Sequence, residues 1–294
     1  MFWQQFTNWV NLGAMYALLA IGYTMVYGII KLINFAHGEI FMCGAFFTWW
    51  LMTALSFPFP LAALIGILLA TLLGIAVERV AYRPLRNAPR FAVVISVLGM
   101  SIFLQNMARI TWGAEFQVFD FDFGLPPLSI GNVIIPSKKV FIFSASLVLM
   151  IALALFVKGT YLGKAMRATA ADWEAAEMMG ISANMVIILN FAIGSSLAAV
   201  AGIFFAINYN SIDPYMGFNA GMKAFTAAVL GGIGNIYGAM VGGIFLGIFE
   251  GVGAAYVSSM YRDAFAFAVL ILALIFRPEG ILGEGKSGEK LKAR

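Results

Sequence analysis

The 294-residue chain has one cysteine, one histidine and few charges, with 18 basic and 14 acidic side chains making up 11% of it. A single cysteine, Cys43, excludes an internal disulfide. It sits among Met42, Gly44 and Phe46 with no base near it in sequence, which reads as a small buried hydrophobe rather than a reactive thiol. One histidine leaves no metal-ligand spacing, so neither a metal nor a cofactor is expected on this chain. Also missing are a histidine pair, an aspartate pair in adjacent apolar runs and a nucleophile beside a base, so no catalytic residues and no enzymatic activity are expected. A basic leader is lacking too, because the first positive charge, Lys31, follows the first apolar run. In place of charge stand 62% hydrophobic and 15% aromatic residues. A soluble domain would leave too much of that surface in water, and a disordered chain has the opposite composition. The net charge of +4 is small and carried by loops, which excludes a nucleic-acid binder.

A membrane-spanning helix needs about 20 mostly apolar residues. Apolar runs lie near 8–30, 37–54, 60–80, 91–111, 139–157, 186–208 and 262–276. The glycine-rich region 219–257 reads as one long tilted helix or, preferably, as two short elements broken at Gly231–Gly234. The expected fold is an all-α integral membrane protein, a polytopic bundle of eight or nine transmembrane segments forming one domain over 1–294. Lys31, Arg79, Arg83, Arg86, Arg90, Lys158, Lys164, Arg167, Arg277, Lys286, Lys290, Lys292 and Arg294 account for 13 of the 18 bases and fall in alternate loops. The positive-inside rule then puts the N-terminus out and the C-terminus in. The loop at about 158–185 becomes cytoplasmic. The one at about 112–138, with Glu115, Asp120 and Asp122, becomes extracytoplasmic. Trp3, Trp9, Trp49, Trp50 and Trp112 flank the spans as an interfacial belt.

Gly280–Ser287 matches the pattern G-x-x-x-x-G-K-[ST], but no strand precedes it and only seven residues follow Ser287, so it reads as a solvated tail. Asp172–Ile181 reads as a short helix between two spans, with small Ala175 and Ala176 on it and Gly180 as its stop. Such a helix either docks into a groove of a cytoplasmic partner or lies on the membrane face. Asn34, His37 and Glu39 put three polar groups at the edge of a span. They are a hydrogen-bonded helix cap, a gate beside the pathway or a proton relay. Glu250 is the deepest acid, lining a pathway or interface, or closing a structural pair with Arg262. Lys223 faces the outside or a cavity near Asp213, and a salt bridge between the two is the plainer expectation. Gly243, Gly247 and Gly251 lie four apart on one helix face, where small residues allow close packing against a neighbour in the chain, a partner or the pathway.

Glu174-Ala175-Ala176-x-x-x-Gly180 resembles the EAA-loop core of ABC-importer permeases. Tyr27-Gly28 with Asn34-Phe35-Ala36-His37-Gly38-Glu39 resembles a segment of the branched-chain amino-acid permeases, as does Lys223–Asn235. Arg277-Pro278-Glu279-Gly280 resembles the family's closing RPQG, with Glu279 where Gln is common. The resemblance runs from about residue 8 to 283, and within the family the chain is similar to the LivH-type subunit. It implies coupling to an ATPase through Asp172, Glu174, Ala175, Ala176 and Gly180. It further implies a second, LivM-like permease, cytoplasmic ATPase subunits that use the ATP, an extracytoplasmic substrate-binding protein, and a bacterial or archaeal inner membrane. Branched-chain amino acids are the family's usual cargo, and urea or short amides are carried by close relatives. A self-sufficient proton-coupled secondary transporter is the competing reading. It would need broken helices in both halves of the chain, and only Gly231–Gly234 offers a break.

Overall fold

Backbone N–H and C=O groups in hydrocarbon have no water to bond, so apolar runs of this length close their hydrogen bonds within helices. The computed structural model describes residues 2–86, 88–130 and 133–283. In chain order it contains α1 (Phe2–Ile30), α2 (His37–Ala54), α3 (Phe59–Val77), α4 (Arg90–Trp112), β1 (Gln117–Val118), β2 (Leu128–Ile130) and β3 (Val133–Ile135). There follow α5 (Ser137–Gly159), α6 (Tyr161–Ala171), α7 (Trp173–Met178), α8 (Ala183–Tyr209), β4 (Ser211–Ile212), α9 (Met216–Gly231), α10 (Ile236–Tyr256) and α11 (Arg262–Phe276). A π-helical turn, Glu78–Tyr82, and a 3₁₀ turn, Arg83–Leu85, extend α3. Among the described residues seven helices are long and apolar enough to cross a membrane: α1, α3 with its extension, α4, α5, α8, α10 and α11 with the turn before it. The all-α expectation needs one amendment, because β1 pairs with β4 and β2 with β3 as short antiparallel ribbons.

The bundle is built around α1. The most apolar window of α1 is 83% buried, against 28% for α3, α4 and α5 and 11% for α11. The outer helices therefore turn Leu64, Leu68, Leu72, Ile102, Val148 and Leu155 outward, as lipid-facing helices do. Side-chain contacts sort the rest into two ends. Gln4 bonds Ile134, Lys139 bonds Asn8, Lys138 bonds Asn210, and Trp49 donates to the carbonyl of Val118. These gather the start of α1, both ribbons and the start of α5 at one end. At the other, Tyr82 donates to the carbonyl of Ile33, Arg86 bonds Asn184, and the backbone of Ile281 and Leu282 bonds Leu230 and Gly231.

Two helices begin inside the bundle. After α1 ends, Lys31 takes a positive φ of 55° and the chain turns back. His37 then lies against Gly22, eight residues before Ile30, which is about 12 Å up the helix at 1.5 Å per residue. From the opposite end, β4 is followed by an Asp213–Tyr215 turn, and α9 starts with Gly217 against Gly38 and Glu39. A break in the first half of the chain thus exists at Lys31–Ala36, where none was expected. The break expected at Gly231–Gly234 is present, as the turn between α9 and α10. Region 219–257 forms two helices that run back to back, with Gly242 packed on Ala227 and Gly231.

Candidate functional site

α7 is bounded by local chemistry at both ends. The Asp172 carboxylate accepts from the Ala175 N–H at 3.0 Å and caps the first turn. At the other end Gly180 has φ 82°. Its N–H bonds the Glu177 carbonyl at 2.9 Å, and the Ile181 N–H bonds that of Ala176 at 3.0 Å. This double closure is a Schellman motif, which needs a residue tolerant of left-handed backbone. Ala176 is buried, Ala175 half-buried, and Glu174 and Gly180 are exposed. Met178 and Met179 are each 82% exposed, so two flexible apolar side chains project from a short rigid helix.

Behind α7 stands Arg86, which sequence reasoning counted only as a topogenic charge. Its guanidinium pairs with Glu78, bonds Asn184 on α8 and lies 5.9 Å from the ring centroid of Trp173 on α7. Glu78 belongs to the π-helical turn and is fully buried. Four residues on in that turn, Tyr82 donates to the Ile33 carbonyl at 3.1 Å. The contacts run from the short helix, through one arginine and the π-turn, to the unwound segment before α2.

That segment leads to the three polar residues. Asn34 is buried, its backbone carbonyl accepts from the His37 N–H, and its side-chain amide has no hydrogen-bond partner among the described residues. His37 is buried edge-on to Tyr23, with ring centroids 4.7 Å apart. Glu39 accepts from the Ser101 hydroxyl at 3.1 Å through Oε1, while Oε2 faces Gly217. No side chain caps α2, whose N-cap position is Ala36. Glu39 lies in its first turn, where the helix dipole favours an anion.

Glu250 is fully buried and closes a network across four helices. Its Oε1 takes Lys223 of α9 at 2.9 Å, Tyr16 of α1 at 3.3 Å and the guanidinium of Arg262 on α11. Lys223 also holds Asp263 at 2.6 Å. The anticipated Glu250–Arg262 pair is therefore present. The Lys223–Asp213 pair is not: Asp213 accepts from the Tyr215 N–H at 2.8 Å, and the Lys223 ammonium is taken by Glu250 and Asp263. The small-residue stripe packs on α1 of the same chain. A side chain at Gly243 would meet the backbone of Ala17, one at Gly247 the backbone of Gly13, and one at Gly251 the indole of Trp9. Trp9 is accordingly 5% exposed. Trp112 stacks on Phe46, with ring centroids 5.0 Å apart. The P-loop-like match lies partly outside the described residues, as do Lys286, Lys290, Lys292 and Arg294. Among the described residues no three His, Cys, Asp or Glu side chains come together as a metal site.

A family model described as the permease component of the branched-chain amino acid transport system matches residues 5–274. The LivH permease protein of the high-affinity branched-chain amino acid transport system of Salmonella typhimurium is 47% identical, with 96% of both chains covered. Its Escherichia coli K12 counterpart is 46% identical with the same coverage. The BraD permease protein of Pseudomonas aeruginosa is 45% identical over 95% of both chains. With a family match over most of its length and relatives of this identity from end to end, the chain belongs to the permease family of branched-chain amino acid transport systems.

Proposed function

We propose that this chain is the membrane-embedded permease subunit of an ATP-driven ABC importer for branched-chain amino acids. It forms half of the translocation pathway with a second, LivM-like permease and binds no ATP itself. The observation that carries the reading is α7: a short helix capped at both ends, held from behind by Arg86, with Met178 and Met179 presented to a partner at the base-bearing end. Cytoplasmic ATPase subunits are its partner, engaged through Asp172, Glu174, Ala175, Ala176 and Gly180. α2 and α9 each cross as shorter helices, giving nine crossings. The odd number fits an N-terminus outside and a C-terminus in the cytoplasm of a bacterial or archaeal inner membrane. An extracytoplasmic binding protein delivers cargo at the end where α1 begins.

The meeting of the α2 and α9 N-termini at Gly38 and Gly217 supports a role for Asn34, His37 and Glu39 as a gate beside the pathway. ATP-dependent closure of the partner subunits pushes α7, and the push reaches Ile33 through Arg86, Glu78 and Tyr82. Introducing Glu174→Arg tests the reading. ATP-driven leucine uptake is abolished while the subunit still inserts in the membrane, and wild-type uptake by this variant overturns the coupling assignment.

A further inference from the structure

At the end opposite α7, a cavity of about 430 Å³ opens between α1, α5, α8, α10 and α11. Its volume lies in the range of about 300–1,000 Å³ typical of small-ligand sites. Its lining includes apolar Trp9, Leu12 and Ala254. Lys139, Arg262 and Asn208 line it as well. Among the described residues no acid lines the cavity.

The cations are under-neutralised. The Lys139 ammonium donates to the Asn8 amide oxygen at 2.6 Å, and among the described residues it has no carboxylate within ion-pair distance. Arg262 spends its Nε on Glu250 and one terminal nitrogen on the Tyr209 hydroxyl at 3.2 Å, leaving further N–H groups for another acceptor. Glu250 in turn is shared with Lys223, whose other partner is Asp263. Three cations, Lys139, Lys223 and Arg262, therefore stand against two carboxylates. Partly buried positive charge is costly without an anion, and a guanidinium with an ammonium makes strong charge-assisted bonds to a carboxylate.

We infer that this cavity is a binding site for the free aliphatic amino acid as it enters the membrane. The carboxylate lies between Lys139 and Arg262, the ammonium faces amide oxygens including that of Asn208, and the side chain rests on Trp9, Leu12 and Ala254. The assignment rests on the permease reading above and adds the residues that receive the cargo. A phospholipid headgroup would offer the same anionic chemistry without the short aliphatic body.

The test uses the purified complex with its co-assembled subunits, without ATP, and a diazirine analogue of leucine as photoprobe. Label is expected on the peptides containing Trp9–Leu12 or Ala254–Ala255. Excess leucine removes it. Leucinamide, which lacks the carboxylate, does not. Lys139→Met lowers labelling about tenfold, the loss of one charge-assisted contact. Ala254→Phe, which fills the cavity without touching a charge, abolishes it in complexes whose ATPase subunits still co-elute, and decides the matter if Lys139→Met fails to assemble. Label elsewhere, label that leucine does not displace but short-chain phosphatidylglycerol does, or equal labelling of both variants overturns the site. A complex that imports leucine with ATP yet carries no such label refutes this site alone. One that imports no leucine refutes the permease reading.

Discussion

Lys223 reaches from α9 to Glu250 on α10 at 2.9 Å, and both side chains are out of water, Glu250 completely. Taking one partner from a buried ion pair leaves an uncompensated charge, at a cost of about 3–5 kcal/mol. Glu250→Leu is expected to lose stability on that scale, since it removes the carboxylate from Arg262 and leaves Lys223 only the exposed Asp263. Lys223→Met is expected to lose less, because Arg262 still neutralises Glu250. Thermal unfolding of the two variants in detergent checks the order, and equal losses contradict it.

The glycine stripe makes a positional prediction. Gly247→Ala puts a methyl into the backbone of α1 and is expected to destabilise by about 1–3 kcal/mol. Gly99→Ala, on α4 with nothing within 4 Å, is expected to be neutral or stabilising by about 0.5–1 kcal/mol, the ordinary gain of alanine over glycine in a helix. A similar response at both positions in the same unfolding measurement would mean that α1 and α10 do not meet at this face.

Asp172 separates capping from charge. Asp172→Ala removes the bond to the Ala175 N–H and costs α7 about 1 kcal/mol. ATP-driven uptake is expected to fall several-fold at unchanged membrane level. Asp172→Asn keeps the acceptor and is expected to retain most uptake. Full uptake in the alanine variant would show that the helix need not be preformed.

Arg86 answers to three partners in different directions, Glu78, Asn184 and Trp173. Lysine has the charge without the planar fork. Arg86→Lys is therefore expected to insert and to bind ATPase subunits, but to uncouple ATP hydrolysis from uptake. Measured as leucine moved per ATP hydrolysed, the ratio falls. An unchanged ratio removes Arg86 from the path between α7 and the unwound segment.

The features legible in the sequence were those set by neighbours along the chain. Asp172 and Gly180 announce the ends of α7 because capping needs only a side chain three residues from an N–H and a backbone able to turn left-handed. Length and hydropathy likewise announce the long helices. Lys31–Ala36 is legible as a gap between two apolar runs, but its return into the bundle is not, because that rests on His37 packing against Gly22 of the preceding helix. Lys223 was assigned to Asp213, ten residues away, whereas its partners lie 27 and 40 residues on, within reach only once α9, α10 and α11 are packed. The packing of Trp9 is likewise not legible locally, because the space that buries it is supplied by Gly251 on α10. Lys139 and Arg262 are 123 positions apart, and no local pattern brings two such charges to one cavity.

The most direct measurement is leucine uptake by proteoliposomes holding this chain with the subunits that co-purify with it, compared with proteoliposomes holding the chain alone. Uptake that requires ATP, the ATPase subunits and the binding protein, and is indifferent to a pH gradient, is the predicted result. Uptake by the chain alone, driven by a pH gradient, would contradict an ATP-driven importer and turn attention to His37, Glu39 and Glu250 as a proton path.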